Sequence, residues 1–327
     1  MDSRQMMNEQ LKKKNHGKTM VESKYVPRFP ESAERDYIRF VQSYVQKEFK
    51  AQIQDFMPEL MQILTEAEKT QPRANQKFTG RTDAKDKSKE NAKERARLRR
   101  ELLAAVMVKL DDWFERLKGA LKTNLNVYEI RSRLNRIANA SRKLTVKEWK
   151  KAIGKTLGIN LLEDYFDGDF YAEAIERWIN ENVDLIVTIP TDSLDNMKKI
   201  ILDTYLSGKP ITAIVKEIEH NYSVTKAHAR LIARDQMGKL NCQITRHQQL
   251  SCGVRKYKWR TAKDSRVRDT HKALEGRIFD WDNPPVVDRN GRRCHPGQDY
   301  QCRCIAVPVF EFDKLDLPVD GRITQRR

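Results

Sequence analysis

Two long apolar stripes limit what this chain can fold into. Tyr37, Phe40, Val41, Tyr44 and Val45 recur at three- and four-residue steps, and Phe49, Ile53, Phe56, Met57, Leu60 and Leu64 continue the pattern. Leu98, Leu102, Val106, Leu110, Trp113, Phe114, Leu117 and Leu121 repeat it. Side chains three and four apart share one face of an α-helix, so each stripe predicts an amphipathic helix. The first runs for roughly eight or nine turns. Two helices of that length cover their apolar faces by packing antiparallel on one another, or by turning them to a partner.

The rest of the first half is punctuated by weaker signals. Residues 1–29 are polar and read as a flexible arm. They lack the apolar core of a secretory signal, and no run of about 18 apolar residues predicts a membrane span. Between the stripes, 71–97 forms a basic linker: Pro72 and Gly80 lead into a charged run that the pattern predicts to be mobile, turning helical towards Leu98. Thr145 to Glu148 has the spacing of a capping box, with Trp149, Ile153 and Leu157 behind it and Gly158 as the stop. Tyr171, Ile175, Trp178 and Ile179 mark another helix. Ile189-Pro190 is read as the start of a second unit, with Thr191 or Asp192 capping a helix through Met197 and Tyr205. Pro210 then opens a short helix to Ile218, and Val224 to Leu250 forms a longer one ending at Gly253. Short helix, loop and long helix loosely resemble a helix-turn-helix; a plain packed corner is the simpler reading.

Net charge is +17, from 63 Lys and Arg against 46 Asp and Glu in 327 residues. That balance favours an anionic partner, nucleic acid first and an acidic protein surface second. The alternative is a scattered, solvated basic surface. Candidate phosphate contacts are Lys93, Arg95, Arg97, Arg99 and Arg100 in the basic run, and Lys256, Lys258 and Arg260 further on. The five cysteines, at 242, 252, 294, 302 and 304, are odd in number and read as reduced thiols.

The densest chemistry lies between Trp259 and Val309. Val254 to Thr261 alternates as a strand, with Tyr257, Trp259 and Thr261 on one side and Lys256, Lys258 and Arg260 on the other. Cys304 to Phe310 is a second β-rich run that can pair with it. A short helix from about Ser265 to Leu274 is predicted between them, with Asp264 as its N-cap and Gly276 past its end. Asp280 to Gln301 holds Pro284, Pro285, Gly291, Pro296 and Gly297 and reads as an irregular loop pinned by His271 and the Cys302–Cys304 region. Three readings of His271, Cys294, His295, Cys302 and Cys304 stay open. They are a structural role with no cofactor, a zinc site, and an acid–base His271 served by Asp264, Arg266 and Arg268, as in a nuclease.

This ordered set resembles the phage Mu F-like minor head proteins, the phage head morphogenesis family, over about residues 189–310. The matching residues are Ala233-Arg234-Asp235-Gln236, Asn241, Gly253, Trp259, Asp264, Arg266-Val267-Arg268, His271, Leu274, Gly276, Phe279, Pro284-Pro285, Pro296-Gly297 and Cys302-Arg303-Cys304. The family often has an acid where Gln236 stands, and many members have Cys near the position of His271. The resemblance implies a non-enzymatic minor head protein of a tailed bacteriophage or prophage. It would associate with the portal protein, and also with scaffold or major capsid protein, and act in head morphogenesis and DNA packaging or ejection. Its place would be the head interior or portal vertex of the virion, and the host cytoplasm during assembly. Its DNA contact would be non-specific and double-stranded, with no membrane. The alternatives are a nuclease-like enzyme centred on His271 and a zinc-stabilised nucleic-acid-binding module.

The expected fold class is α+β and mostly helical: an extended N-terminal helical arm or bundle, then a small α+β domain with a short antiparallel sheet. The expected boundaries are 1–29 for the polar arm and 30–188 for the helical region. The Mu F-like domain follows at 189–312 and a polar tail at 313–327, leaving no room for a fused toxin or nuclease.

Overall fold

The computed structural model describes residues 3–70, 85–162, 168–206 and 211–318. Among these the helices are α1 (Ser3–Lys14), α2 (Glu31–Thr70), α3 (Lys85–Asn124), α4 (Val127–Leu157), α5 (Asp169–Leu206), α6 (Ile211–Ser251) and α7 (Asp269–Lys272). The strands are β1 (Met20–Glu22), β2 (Lys256–Arg260), β3 (Ile278–Asp280) and β4 (Ile305–Glu311). They form one antiparallel sheet in the order β1-β4-β2-β3. The class is therefore α+β and mostly helical. No helix among the described residues is long and apolar enough to cross a membrane.

The chain divides into two compact units. One comprises Gln42–Asn126 and Ile186–His228. Here the two stripes meet as an antiparallel pair. Asn126 N–H donates to Tyr44 Oη at 2.8 Å, Trp113 Nε1 to the Phe56 carbonyl at 3.0 Å, Arg116 to Glu59 at 3.0 Å and Lys109 to Glu66 at 3.1 Å. Partners climb α2 as they descend α3. Phe49, Ile53, Leu60, Leu110, Trp113, Phe114 and Leu117 are fully buried between them, with Leu194, Met197, Ile201, Ile214 and Ile218 in the same cluster.

The other unit comprises Met1–Val41, Val127–Leu185 and Ala229–Arg327. Helices α4 and α6 lie against the sheet: Trp149 stacks on Phe310, and Gln249 donates to the Ala306 carbonyl at 3.1 Å. Helix α5 joins α6 through Trp178, whose Nε1 donates to the Gln236 carbonyl at 3.0 Å, and α2 joins α5 through Tyr37, whose hydroxyl donates to Asn182.

Several expectations are corrected. The polar arm is folded: Met7 and Leu11, one turn apart, are buried, Arg4 and Asn8 donate to the Leu315 carbonyl, and β1 pairs with β4. Two buried apolar residues over about three turns were too few to register in an average over a polar segment. The linker 71–97 gives way to helix by Lys85, earlier than expected; residues 71–84 lie outside the described residues. Neither Thr145 nor Pro190 begins a helix. Thr145 sits inside α4, where its hydroxyl donates to Ser141 O and Asn241 Oδ1, while Glu148 accepts from Lys151 and from the Arg28 backbone. Helix α5 passes through Pro190 because Ile186, Ile189, Leu194 and Met197 around it are fully buried, which offsets the lost backbone bond. The expected corner of short helix, loop and long helix, and with it the loose helix-turn-helix resemblance, gives way to one continuous α6; no Gly or Pro interrupts residues 211–237. Of the expected boundaries, that at 188/189 falls inside α5.

Helix α6 meets the irregular loop at a glycine pair. A Cβ on Gly238 would stand 2.9 Å from the Gly297 carbonyl oxygen and 3.2 Å from that of Cys302, and Gly297 holds φ +89°. Only hydrogen on both α-carbons permits this backbone approach. It seats the loop beside the chemistry-bearing residues.

Candidate functional site

Strand β2 alternates as expected: Tyr257 and Trp259 are fully buried, while Lys256, Lys258 and Arg260 face outward. Each outward cation is already ion-paired, Lys256 with Glu311 at 3.1 Å, Lys258 with Glu22 at 2.6 Å and Arg260 with Glu275 at 2.9 Å. In the basic run, Arg97 is exposed and pairs with Glu101 at 2.9 Å. The side chains of Lys93, Arg95, Arg99 and Arg100 lie outside the described residues.

After β2 the chain makes a turn rather than the predicted helix of ten residues. Helix α7 is a single turn, its N-cap is Arg268, and no side chain caps it. Asp264 is therefore not a cap. It accepts from the Arg266 backbone and side chain at 3.1 Å and from Arg303 at 2.6 Å. Arg303 first, and Arg266 after it, hold the Asp264 carboxyl well below the usual carboxylate range. The pair ties the turn to the chain entering β4. Gly276, at φ +75°, donates its N–H to the Trp259 carbonyl at 2.9 Å.

The loop 280–301 is pinned by a residue that the sequence did not single out. Asp299 is 1% exposed. Its Oδ2 accepts from Arg268 at 2.8 Å and from His271 Nε2 at 3.0 Å. Its Oδ1 accepts from Arg292 at 2.6 Å and from the Tyr300 N–H at 2.8 Å. A buried carboxylate is stable only when its lone pairs are met in this way. One signal was available: Asp299 is the sole acid between Asp288 and Glu311. In a segment rich in Arg, a lone acid is placed to draw more than one of them.

The five candidate ligands separate. His295 is buried under Tyr257 and Trp281, with Nδ1 2.9 Å from the Tyr257 hydroxyl, and burial lowers its pKa to about 4, so the ring is neutral. Cys294 lies at the edge of the aromatic cluster and is half-buried. His271, Cys302 and Cys304 do come together, and their ligand atoms lie within 4.8 Å of one another. His271 Nδ1 is 3.6 Å from Cys302 Sγ and 3.5 Å from Cys304 Sγ. Cys302 Sγ also accepts the N–H groups of Gly297 and Cys304, each at 3.4 Å. The hydrogen bond from Cys304, and behind it those from His271 and the two backbone groups, hold the Cys302 thiol well below the ordinary range; the same pairing and burial push Cys304 up. Burial alone would lower the His271 pKa, but Cys302 and Asp299 outweigh it and the net direction is up. A pocket of about 290 Å³ opens onto this cluster and is lined by Arg234, Arg266, Arg268 and Arg303.

The acid–base role considered for His271 would need a ring nitrogen that its present partners release. Both ring nitrogens of His271 are engaged inside the protein, and the residue is 2% exposed. Asp264, Arg266 and Arg268, its expected assistants, are spent on the turn and on Asp299.

Residues 195–307 match the family model described as Phage Mu protein F like protein. An uncharacterized protein of Haemophilus influenzae (strain KW20/Rd) is 34% identical over 154 residues, covering 47% of this chain and 33% of that protein. The chain thus spans about a third of the length of the curated relative it matches. No solved structure matches.

Proposed function

We propose, from the match of residues 195–307 to the Phage Mu F-like family model, that this chain is a minor head protein of a tailed bacteriophage or prophage, acting in head morphogenesis as a structural component. One observation supports attachment rather than turnover. The signature residues Asp264, Arg268, His271, Cys302 and Arg303 are consumed in holding loops to one another, through Asp299 and Arg266. Rigid, irregular surfaces carried on a scaffold are suited to docking.

On this reading the protein sits at the portal vertex or head interior and contacts the portal protein. It handles double-stranded DNA without reading sequence, and scaffold or major capsid protein are further contacts. The basic run on α3, eight Lys and Arg against three Asp and Glu over residues 85–100, is the better phosphate contact. The β2 cations are neutralised where they stand. The protein-facing surface falls to the α2–α3 pair. Residues 1–29 are built into the unit that carries the sheet, through α1 and β1.

The test is protein analysis of particles purified from a strain producing them, with cross-linking to the portal protein. A few copies per head, cross-linked through residues 42–126, are expected. Heads that assemble and fill with DNA when the chain is deleted, and that never contain it, would overturn the reading. Duplex affinity that does not weaken as salt rises would remove the DNA part alone.

A further inference from the structure

We propose that His271 Nδ1, Cys302 Sγ and Cys304 Sγ hold one zinc-class divalent cation, with a solvent ligand from the arginine-lined pocket in the fourth position. Distances carry the argument first. With zinc–sulfur bonds of about 2.3 Å, zinc–nitrogen bonds of about 2.0 to 2.1 Å and tetrahedral angles, each nitrogen–sulfur edge is about 3.5 to 3.6 Å. The two edges here are 3.5 and 3.6 Å. A neutral ring nitrogen has one lone pair, so it accepts from one thiol at a time, and the other thiol turns to its neighbouring sulfur. A cation placed between the three atoms satisfies all of them.

The surroundings are arranged for thiolates and for that tautomer. His271 Nε2 faces the Asp299 carboxylate at 3.0 Å, which keeps the proton there and presents the Nδ1 lone pair to the sulfurs. A carboxylate behind a ligating histidine is the common outer partner in metal sites. Cys302 Sγ receives two backbone N–H groups, which a thiolate accepts far better than a thiol. The buried indole N–H of Trp259 meets no oxygen or nitrogen acceptor and lies against Cys304. Nitrogen and sulfur donors select zinc over calcium or magnesium. Two thiolates neutralise the cation, and the displaced thiol protons leave to solvent. The pocket reaches the three ligands directly, giving a route for the ion and room for the solvent molecule. The consequence is mechanical: a metal here joins α7 to the chain entering β4, across the loop that Asp299 already pins.

The test uses the full-length chain, stripped of metal and kept reduced, titrated with Co²⁺ and then Zn²⁺. One Co²⁺ per chain should bind with thiolate-to-cobalt charge-transfer absorption, and Zn²⁺ should bleach it. Iodoacetamide with peptide mapping should show Cys302 and Cys304 protected by Zn²⁺ and exposed by chelator, while Cys294 labels equally in both. Asp299→Asn should weaken Zn²⁺ binding by about 10- to 100-fold. The Cys302→Ser/Cys304→Ser double variant should lose the absorption; if it does not fold, the protection pattern of the unaltered chain decides. Three results overturn the proposal: no charge-transfer band with all five thiols free, a band that survives the double variant, or rapid alkylation of Cys302 alone regardless of Zn²⁺, which would mark a nucleophilic thiol instead.

Discussion

In the α2–α3 pair, Trp113 is buried among Phe56, Phe114 and the leucines of both helices, and its one polar atom donates to a backbone carbonyl. In the loop from 280 to 301, the corresponding central residue is Asp299, equally buried, with two arginines, a histidine and a backbone N–H around it. The helical pair excludes water with a continuous apolar face, and its ion pairs lie outside on exposed side chains. The loop has no repeating pattern to bury. It is ordered by a few polar groups that converge on one carboxylate. Failure should differ accordingly. Removing an apolar group leaves a cavity whose cost is graded by size, whereas removing Asp299 takes one shared acceptor from Arg268, His271 and Arg292 at once.

The largest effect expected is for Trp113→Ala, at about 4 kcal/mol lost from the helical pair in thermal or denaturant unfolding. A cost under about 1 kcal/mol would mean that the two stripes do not share one core. Asp299→Ala should cost about 3 kcal/mol, with hydrogen-exchange protection lost in residues 264–304 and kept in α2 and α3. Equal loss of protection in both regions would break the contrast drawn between them.

A pH profile sharpens the same comparison. Burial lowers the His295 pKa to about 4, below the ordinary histidine value. A base with a depressed folded pKa contributes stability that is full above about pH 6.5 and drains away as pH falls towards 4. The decline should reach about 2 to 3 kcal/mol and be confined to the sheet-bearing unit. His295→Asn should flatten it; an unchanged slope would assign the decline to carboxylates instead.

Gly238→Ala tests the backbone approach. In an ordinary helix this change stabilises by close to 1 kcal/mol. Here the new methyl group meets a carbonyl oxygen at 2.9 Å, so a loss of about 2 kcal/mol is expected in melting experiments. The smallest effect is for Arg97→Ala, whose exposed pair with Glu101 should give no measurable change in melting. It should instead lower the salt dependence of duplex binding if α3 contacts phosphates.

These contrasts also track what could be read beforehand. The two stripes, Tyr37 to Leu64 and Leu98 to Leu121, became α2 and α3 because a helical repeat carried over many turns leaves few other ways to hide apolar surface. The alternation from Lys256 to Thr261 became β2 for the same reason at period two. Local punctuation was less dependable. Thr145 to Glu148 and Pro190 have the chemistry of helix starts, yet both sit inside helices whose neighbours are buried. Propensity at one residue is worth little against packing along a whole face.

Residue order alone determined the helical character, the strand that carries Trp259 and the match of residues 195–307 to the family model, since each depends on local periodicity or identity. Only the tertiary structure decided that Asp299 gathers Arg268, His271 and Arg292, and that His271 meets Cys302 and Cys304 while Cys294 and His295 stand apart. It also decided that the β2 cations are neutralised and that the first 29 residues supply a helix and an edge strand. Those partnerships join residues 7 to 311 positions apart along the chain, and no local pattern encodes which group a lone charge or thiol will find.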